Sequence, residues 1–233
     1  MLRNDGRAVD QIRPIKLTPN FIEYTSGSVL IELGKTKVLC AVSLNSGVPS
    51  FLKGQGTGWL TAEYAMLPAA THQRNQRDAN VTKRPGRTVE ISRLIGRVFR
   101  SVVNLSMIGE YTITIDCDVI QADGGTRTAA IIGAGYALKL AQEVWHQKGL
   151  LKGKLIIDEI AAISVGMVQG VNLLDLNYLE DNQAQVDFNF VLTKAGQLIE
   201  VQGTAEQAPI EWSDFERMRV LAQLGVVQIF SQF

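Results

Sequence analysis

Cysteine, histidine, long apolar runs and net charge are all scarce in this sequence of 233 residues, and each scarcity removes a class of function. Only two cysteines occur, Cys40 and Cys117, both within strand-like apolar runs and without framework spacing. That excludes a disulfide scaffold and leaves buried thiols in a reducing compartment as the expectation. The two histidines, His72 and His146, lie too far apart to share metal-ligand spacing, which argues against zinc chemistry. No run of about 18 apolar residues is present, and the opening MLRNDGRAVDQIRP holds no apolar leader segment. A soluble, cytoplasmic protein without membrane contact is expected. Finally, 23 Lys+Arg cancel 23 Asp+Glu, which excludes a basic arm coating nucleic acid or an acidic solvating tail.

What is there is globular: 46% of residues are apolar and 20% charged, so disorder is not needed to explain the chain. The zero charge is also a sum of unlike parts. Residues 1–150 carry 18 Lys+Arg against 12 Asp+Glu, a net of +6. Residues 151–233 carry 5 against 11, a net of −6. A basic half suits a polyanion and an acidic half suits cations.

Residue pattern divides the chain further. The first 20 residues read as polar and turn-rich, and residues 45–87 as irregular. Strands are predicted over Ser28–Leu33 and Thr36–Leu44, joined in a hairpin at Gly34-Lys35. A helix is predicted from near Thr88, since Ile91, Leu94, Ile95, Val98, Phe99 and Val102 recur at helical spacing. Residues Tyr111–Gln121 alternate as a strand, and a largely apolar helix, buried between layers, follows from about Arg127 to Gln147. Gly149 to Gly153 is the best boundary between a half of 1–150 and a half of 151–233. Beyond it, strands are predicted over Leu155–Val165, Gly170–Leu176, Val186–Thr193 and Leu198–Gln202. A last helix is predicted from Ser213, which forms an S-x-x-E capping box with Glu216. Strands followed by a helix in both halves imply an α+β (mixed α/β) fold.

Three constellations could carry chemistry. The sharpest is Gln121-Ala122-Asp123-Gly124-Gly125-Thr126-Arg127-Thr128, which ends a strand and opens a helix. Backbone N–H groups at a helix N-terminus attract anions, and glycine lets an anion approach the chain closely. Thr126 adds a hydroxyl and Arg127 a guanidinium suited to tetrahedral oxyanions. The same residues are equally readable as a plain turn with Thr126 capping the helix. The second is a basic stretch, in which Arg74, Arg77, Lys83, Arg84, Arg87, Arg93, Arg97 and Arg100 face only Asp78 and Glu90. Such density suits phosphate-backbone contacts; the alternative is a solvated loop and a helix whose Arg93, Arg97 and Arg100 pair with the acidic half. The third is Glu180-Asp181 with Asp187. Strand alternation turns Asp187 and Asn189 away from Val186, Phe188 and Phe190. Converging carboxylates there could hold Mg²⁺ or donate a proton, but exposed turn formers have the same spacing.

Taken in order along nearly the whole chain, these segments resemble the ribonuclease PH family, the phosphate-dependent 3′-exoribonucleases. The matching stretches are Asp5-Gly6-Arg7, Gly58-Trp59-Leu60-Thr61-Ala62-Glu63-Tyr64, Met66-Leu67-Pro68, Gly86-Arg87-Thr88 with Glu90-Ile91, and Arg93-Leu94-Ile95-Gly96-Arg97. They continue through Asp116 to Thr128, Ser164-Val165-Gly166, Leu174-Asp175-Leu176, Glu180-Asp181 and Glu200-Val201-Gln202-Gly203-Thr204-Ala205-Glu206. Asn4, where proline is usual, Asn104, where aspartate is common, Gln207, where glycine is expected, and a slightly short tail depart from the pattern.

The resemblance implies a fold of two β-α-β-type halves with mixed sheets and flanking helices, like the second domain of ribosomal protein S5. It implies a homohexameric ring, a trimer of dimers, and a tRNA nucleotidyltransferase reaction. In that reaction inorganic phosphate removes extra 3′ nucleotides from tRNA precursors as nucleoside diphosphates. The reverse reaction adds nucleotides, and other structured RNA, including rRNA precursors, is a further implied substrate. Carried over by position, Arg87, Gly125, Thr126 and Arg127 are implied to bind phosphate, and Arg74 and Arg77 to grip tRNA. Asp181 and Asp187 are implied to be catalytic and to hold a divalent cation, Mg²⁺ foremost, with Asp187 protonating the departing 3′ oxygen. Since the nucleophile is already ionised, no Ser-His pair is needed. Three rival readings share these residues: a non-catalytic ring subunit, an archaeal exosome subunit or polynucleotide phosphorylase fragment, and a hydrolytic nuclease. The length fits one fold unit with no appended RNA-binding domain.

Overall fold

The computed structural model describes residues 3–77 and 85–232. Five strands form the first sheet: β1 (Ile15–Pro19), β2 (Gly27–Leu33), β3 (Thr36–Ser46), β4 (Trp59–Met66) and β5 (Tyr111–Gln121). Their order is β1-β2-β3-β5-β4, antiparallel except for the parallel pair β4 and β5. Helix α1 (Gly86–Val102) is the crossover that the parallel pair requires. Helix α2 (Thr126–Gln147) follows β5. The second sheet is antiparallel, in the order β7-β6-β8-β9, with β6 (Ile160–Val168), β7 (Val171–Leu174), β8 (Val186–Thr193) and β9 (Leu198–Ala205). The short helix α3 (Tyr178–Asp181) joins β7 to β8, and α4 (Trp212–Phe230) closes the chain. The fold is α+β, with sheets and four helices.

The alternation in β5 sets its two faces: Ile113, Ile115, Cys117 and Val119 are buried, while Asp118 is exposed. Helix α2 is apolar on nearly all sides because it has two sheets to bury. It packs on β2, β3 and β5 with one side and on β6 with another. Small residues allow this closeness. A Cβ on Gly27 of β2 would stand 2.2 Å from the Ala137 carbonyl oxygen of α2. Cys40 and Cys117 face each other across β3 and β5, buried and unbridged. Both thiols donate to the Ala130 carbonyl, at 3.6 and 3.9 Å. Around α2 the fully buried Phe99, Trp145 and Phe190 anchor one continuous core, and each such side chain contributes roughly 1.5–3 kcal/mol.

Several expectations change. β1 and β4 are strands where the sequence reads as polar or irregular. In β4 the inward positions Leu60, Ala62 and Tyr64 include a small and a polar residue, which weakens the apolar signal. The predicted strand from Leu155 begins only at Ile160, because residues 155–157 spend their backbone groups elsewhere. The Gln142 side chain accepts from the Leu155 and Ile156 N–H groups at 3.0 and 2.8 Å, and Asn104 N–H donates to the Leu155 carbonyl at 2.7 Å. The capping box at Ser213 is not formed. Helix α4 starts at Trp212 with Glu211 as its cap residue, and Glu216 accepts from Arg219 at 2.9 Å. A capping box does exist at α3, where Asn177 and Glu180 exchange hydrogen bonds of 3.1 and 3.0 Å.

Candidate active site

Parallel strands bring their carboxyl ends to one edge, where ligands of open α/β sheets bind. Here β4 and β5 run parallel with Met66 opposite Val119, so the segments after both emerge together. The Ala122 N–H donates to the Ala70 carbonyl at 2.8 Å and ties the two loops. At this edge the Gly-rich turn opens α2. Gly124 and Gly125 both adopt positive φ, 75° and 65°, a conformation that glycine takes without strain. The cap residue of α2 is Gly125, not Thr126, and no side chain caps the helix. Thr126 is the first helical residue, and its buried hydroxyl accepts from the Tyr64 hydroxyl at 2.9 Å. The first intrahelical bond runs from Ala129 N–H to the Gly125 carbonyl, so the N–H groups of Thr126, Arg127 and Thr128 have no helical partner. An anion fits such an end.

Arg127 leans from this end toward the second sheet. Its guanidinium donates to the Gln202 side chain of β9 at 2.9 Å and pairs with Glu90 of α1 at 3.3 Å. Arg87 sits exposed in the first turn of α1. Its charge acts both on Tyr64, beside the turn, and on Asp181, at the end of α3. Burial raises the Asp181 carboxyl above its ordinary range, with Arg87 and Arg127 opposing and Glu206 adding to the rise. Burial and the neighbouring Asp181 charge push Asp187 up to about 6, partly offset by Arg127 and by the Asn189 amide, which donates at 3.3 Å. Asp187 Oδ1 is buried without a hydrogen-bond partner among the described residues. Thus the two guanidinium groups, the Gly-rich turn and the two carboxylates share one electrostatic neighbourhood.

Two carboxylates that resist ionisation, one with an orphaned oxygen, fit a hard cation. Mg²⁺ is commonly held by one or two carboxylates plus phosphate oxygens. Among the described residues no group of three or more His, Cys, Asp or Glu side chains gathers into a complete metal nest.

Arg74 and Arg77 are exposed in the loop after β4. The contact of His72 with Tyr178 of α3, ring centroids 5.1 Å apart, sets that loop beside the helix of Asp181. Lys83 and Arg84 lie outside the described residues. Arg97 of α1 pairs with Glu200 of β9 and so bridges the basic and acidic halves. Arg100 donates to the Leu60 carbonyl at 2.9 Å and stacks over Trp59.

A family profile described as the 3′ exoribonuclease family, domain 1, matches residues 11–142. Domain 2 of the same family matches residues 158–223. The chain belongs to the RNase PH family. Similar folds include rice (Oryza sativa) Rrp46, 22% identical with a TM-score of 0.76, covering 98% of this chain and 97% of that one. They also include the Archaeoglobus fulgidus exosome with RNA bound to its active site, 20% identical with a TM-score of 0.80, covering 99% and 92%. An archaeal exosome core matches at 20% identity and a TM-score of 0.75, covering 97% and 88%.

Within this RNase PH fold, several residues at the site escape sequence reasoning. Tyr64, Glu90, Gln202 and Glu206 touch or bias the named residues, and all but Glu90 lie in other segments of the chain. The stretch Glu200–Glu206 carries Gln202 and Glu206 as a motif, but only the pairing of β8 with β9, Asp187 opposite Thr204, reveals what those two face. A separate cavity of about 480 Å³ lies further along α2, lined by Ile132, Tyr136, Ile156 and Phe230 among others. It includes none of the site residues. Among the described residues, no helix is long and apolar enough to cross a membrane.

Proposed function

We propose that this chain is a cytoplasmic phosphorolytic 3′-to-5′ exoribonuclease that trims extra nucleotides from tRNA precursors. The observation that carries the reading is the convergence of Arg87, Arg127 and the uncapped end of α2 with Asp181 and Asp187. Free phosphate is held by Gly125, Thr126, Arg127 and Arg87, with the helix N–H groups and guanidinium charges supplying the attraction. One phosphate oxygen attacks the terminal phosphorus, and the bond from that phosphorus to the 3′ oxygen of the preceding nucleotide breaks. The terminal nucleotide leaves as a nucleoside diphosphate, and the 3′ oxygen takes a proton. In this reading Asp187 gives it, a role supported by a carboxyl that keeps its proton more readily than an ordinary aspartate. A divalent cation held by Asp181 and Asp187 supplies charge stabilisation at the phosphates when bound. The reverse reaction adds nucleotides from diphosphates.

Arg74 and Arg77, exposed beside α3, grip the body of the tRNA. Ring assembly is in keeping with the exosome-like fold; that the ring is a homohexamer of three dimers is part of the proposal, as are rRNA precursors as a second substrate class. The likeness to Rrp46 and to exosome cores favours one other reading, a ring subunit that binds RNA without cutting it. Incubating a 3′-extended tRNA with and without phosphate separates them. Nucleoside diphosphates that appear only with phosphate support the proposal. Nucleoside monophosphates formed without phosphate indicate a hydrolase, and intact RNA in both arms supports the non-catalytic subunit.

A further inference from the structure

We infer that Arg13, held by Asp175, is a positioning residue that sets the phosphate-holding turn against the helix of Asp181. The inference rests on the phosphorolytic reading for the use of that turn, but its geometry stands apart from it. Arg13 precedes β1, far from the site in sequence, and only 3% of its surface is exposed. Its backbone N–H and Nε both donate to Asp175 Oδ2 at 2.8 Å, and one terminal nitrogen donates to Asp175 Oδ1 at 2.7 Å. That same nitrogen reaches the Leu176 carbonyl at 3.2 Å, just before α3. The other terminal nitrogen donates to the Asp123 carbonyl at 2.7 Å and approaches that of Gly124 at 3.4 Å. One guanidinium thus holds both the turn before α2 and the strand end that leads to Asp181.

The consequence for phosphate follows from peptide geometry. In a trans peptide the carbonyl and the next N–H point opposite ways. Arg13 draws in the carbonyls of Asp123 and Gly124, and Thr36 accepts from Asp123 N–H at 2.9 Å while donating to the Gly124 carbonyl at 2.7 Å. The N–H groups of Gly124 and Gly125 are therefore turned away from Arg13, and neither donates a hydrogen bond among the described residues. The clamp leaves no slack. A Cβ on Gly125 would stand 2.8 Å from the Arg13 guanidinium, and one on Gly124 would stand 2.7 Å from the Leu176 carbonyl oxygen. Asp175 itself sits buried at a φ of 53°, and burial would raise its carboxyl were it not held down by the charge and hydrogen bonds of Arg13, with Arg7 adding.

The test uses the full chain with two substitutions. Arg13→Lys keeps the charge but cannot span Asp175 and both carbonyls with one nitrogen. Thr36→Val removes hydrogen bonds from the same turn without touching any charge. Phosphate binding is read by calorimetry, and KM for phosphate, KM for RNA and kcat by nucleoside diphosphate release; circular dichroism checks the fold. Arg13→Lys is expected to weaken phosphate binding and raise its KM about tenfold or more, with KM for RNA changed less than twofold. Thr36→Val should shift both phosphate quantities the same way, about threefold. If Arg13→Lys does not fold, Thr36→Val decides alone. Folded variants with unchanged phosphate binding, or equal rises in both KM values, would overturn the inference and leave Arg13 a structural ion pair. A wild-type protein that binds phosphate yet releases no nucleoside diphosphate defeats the phosphorolytic reading, while the calorimetric comparison still decides on Arg13. A wild-type protein that does not bind phosphate defeats both.

Discussion

Asp187 carries two opposed demands in a single side chain. Its buried carboxyl is pushed up to about 6 by burial and by Asp181, so ionisation at neutral pH costs the folded state. Because the folded value lies above the unfolded one, the contribution to stability is full below the unfolded value near 4 and lost as pH rises through about 6. Asp187→Asn removes that penalty and is expected to stabilise the protein by ~1–3 kcal/mol at pH 7.5, with the gain vanishing below about pH 4. Thermal melts across this range check the sign. The same variant should lose about 100-fold or more in kcat, as expected when a proton donor is removed. Glu90 offers a second case. Its carboxylate occupies the Arg127 guanidinium from a half-exposed position, so Glu90→Gln should free that cation and lower KM for phosphate several-fold. A higher KM would mean that Glu90 orients Arg127 instead of competing with phosphate.

Among elements, α3 is four residues long and cannot stand by itself. Its order comes from the Asn177–Glu180 capping box and from Arg3, which donates to Glu180 at 2.8 and 2.6 Å. Asn177→Ala is expected to cost ~0.5–2 kcal/mol and to reduce kcat with little change in KM for RNA, because Asp181 ends this helix. Unchanged kcat after a measured loss of stability would separate the cap from the site. This helix also marks where sequence reasoning stops. The hairpin of β2 and β3 and strands β5 and β8 were legible from their apolar runs and alternation, helix α2 from its long, nearly uncharged apolar run, and the Gly-Gly-Thr-Arg turn because a helix end is a local feature. Ser213 and Glu216 matched the capping pattern that Asn177 and Glu180 fulfil, since spacing alone does not say where a helix begins. The partners of Arg127 and of the turn were not legible. Gln202 lies 75 residues from Arg127, and Arg13 lies 110 residues from Asp123. Contacts at such separations leave no local trace in composition or period.

For the molecule as a whole, the +6 and −6 halves meet along a seam instead of standing apart. Arg97 with Glu200 and Arg127 with Gln202 tie α1 and α2 to β9. Arg74 and Arg77 remain exposed at the edge, available to a polyanion. Replacing both with alanine should weaken tRNA binding at low salt and reduce the slope of log affinity against log salt by about 1.4–1.8. Turnover of short single strands should be spared. Equal losses on tRNA and on short strands would place these arginines at the cleaved end and not along the tRNA body.

The clamp from Arg13 to Asp175 spans 162 residues of chain, and this gives the site a birth order. At about 5–20 residues per second, a ribosome finishes the Gly-rich turn roughly ten seconds or less before it reaches Asp175. During that interval the turn exists without its clamp, and Asp181 and Asp187 have not yet been made. A chain ended within that interval therefore carries the turn without its clamp and lacks both carboxylates. The site can come into being only once Asp175, Asp181 and Asp187 have all been made, so its onset waits on translation.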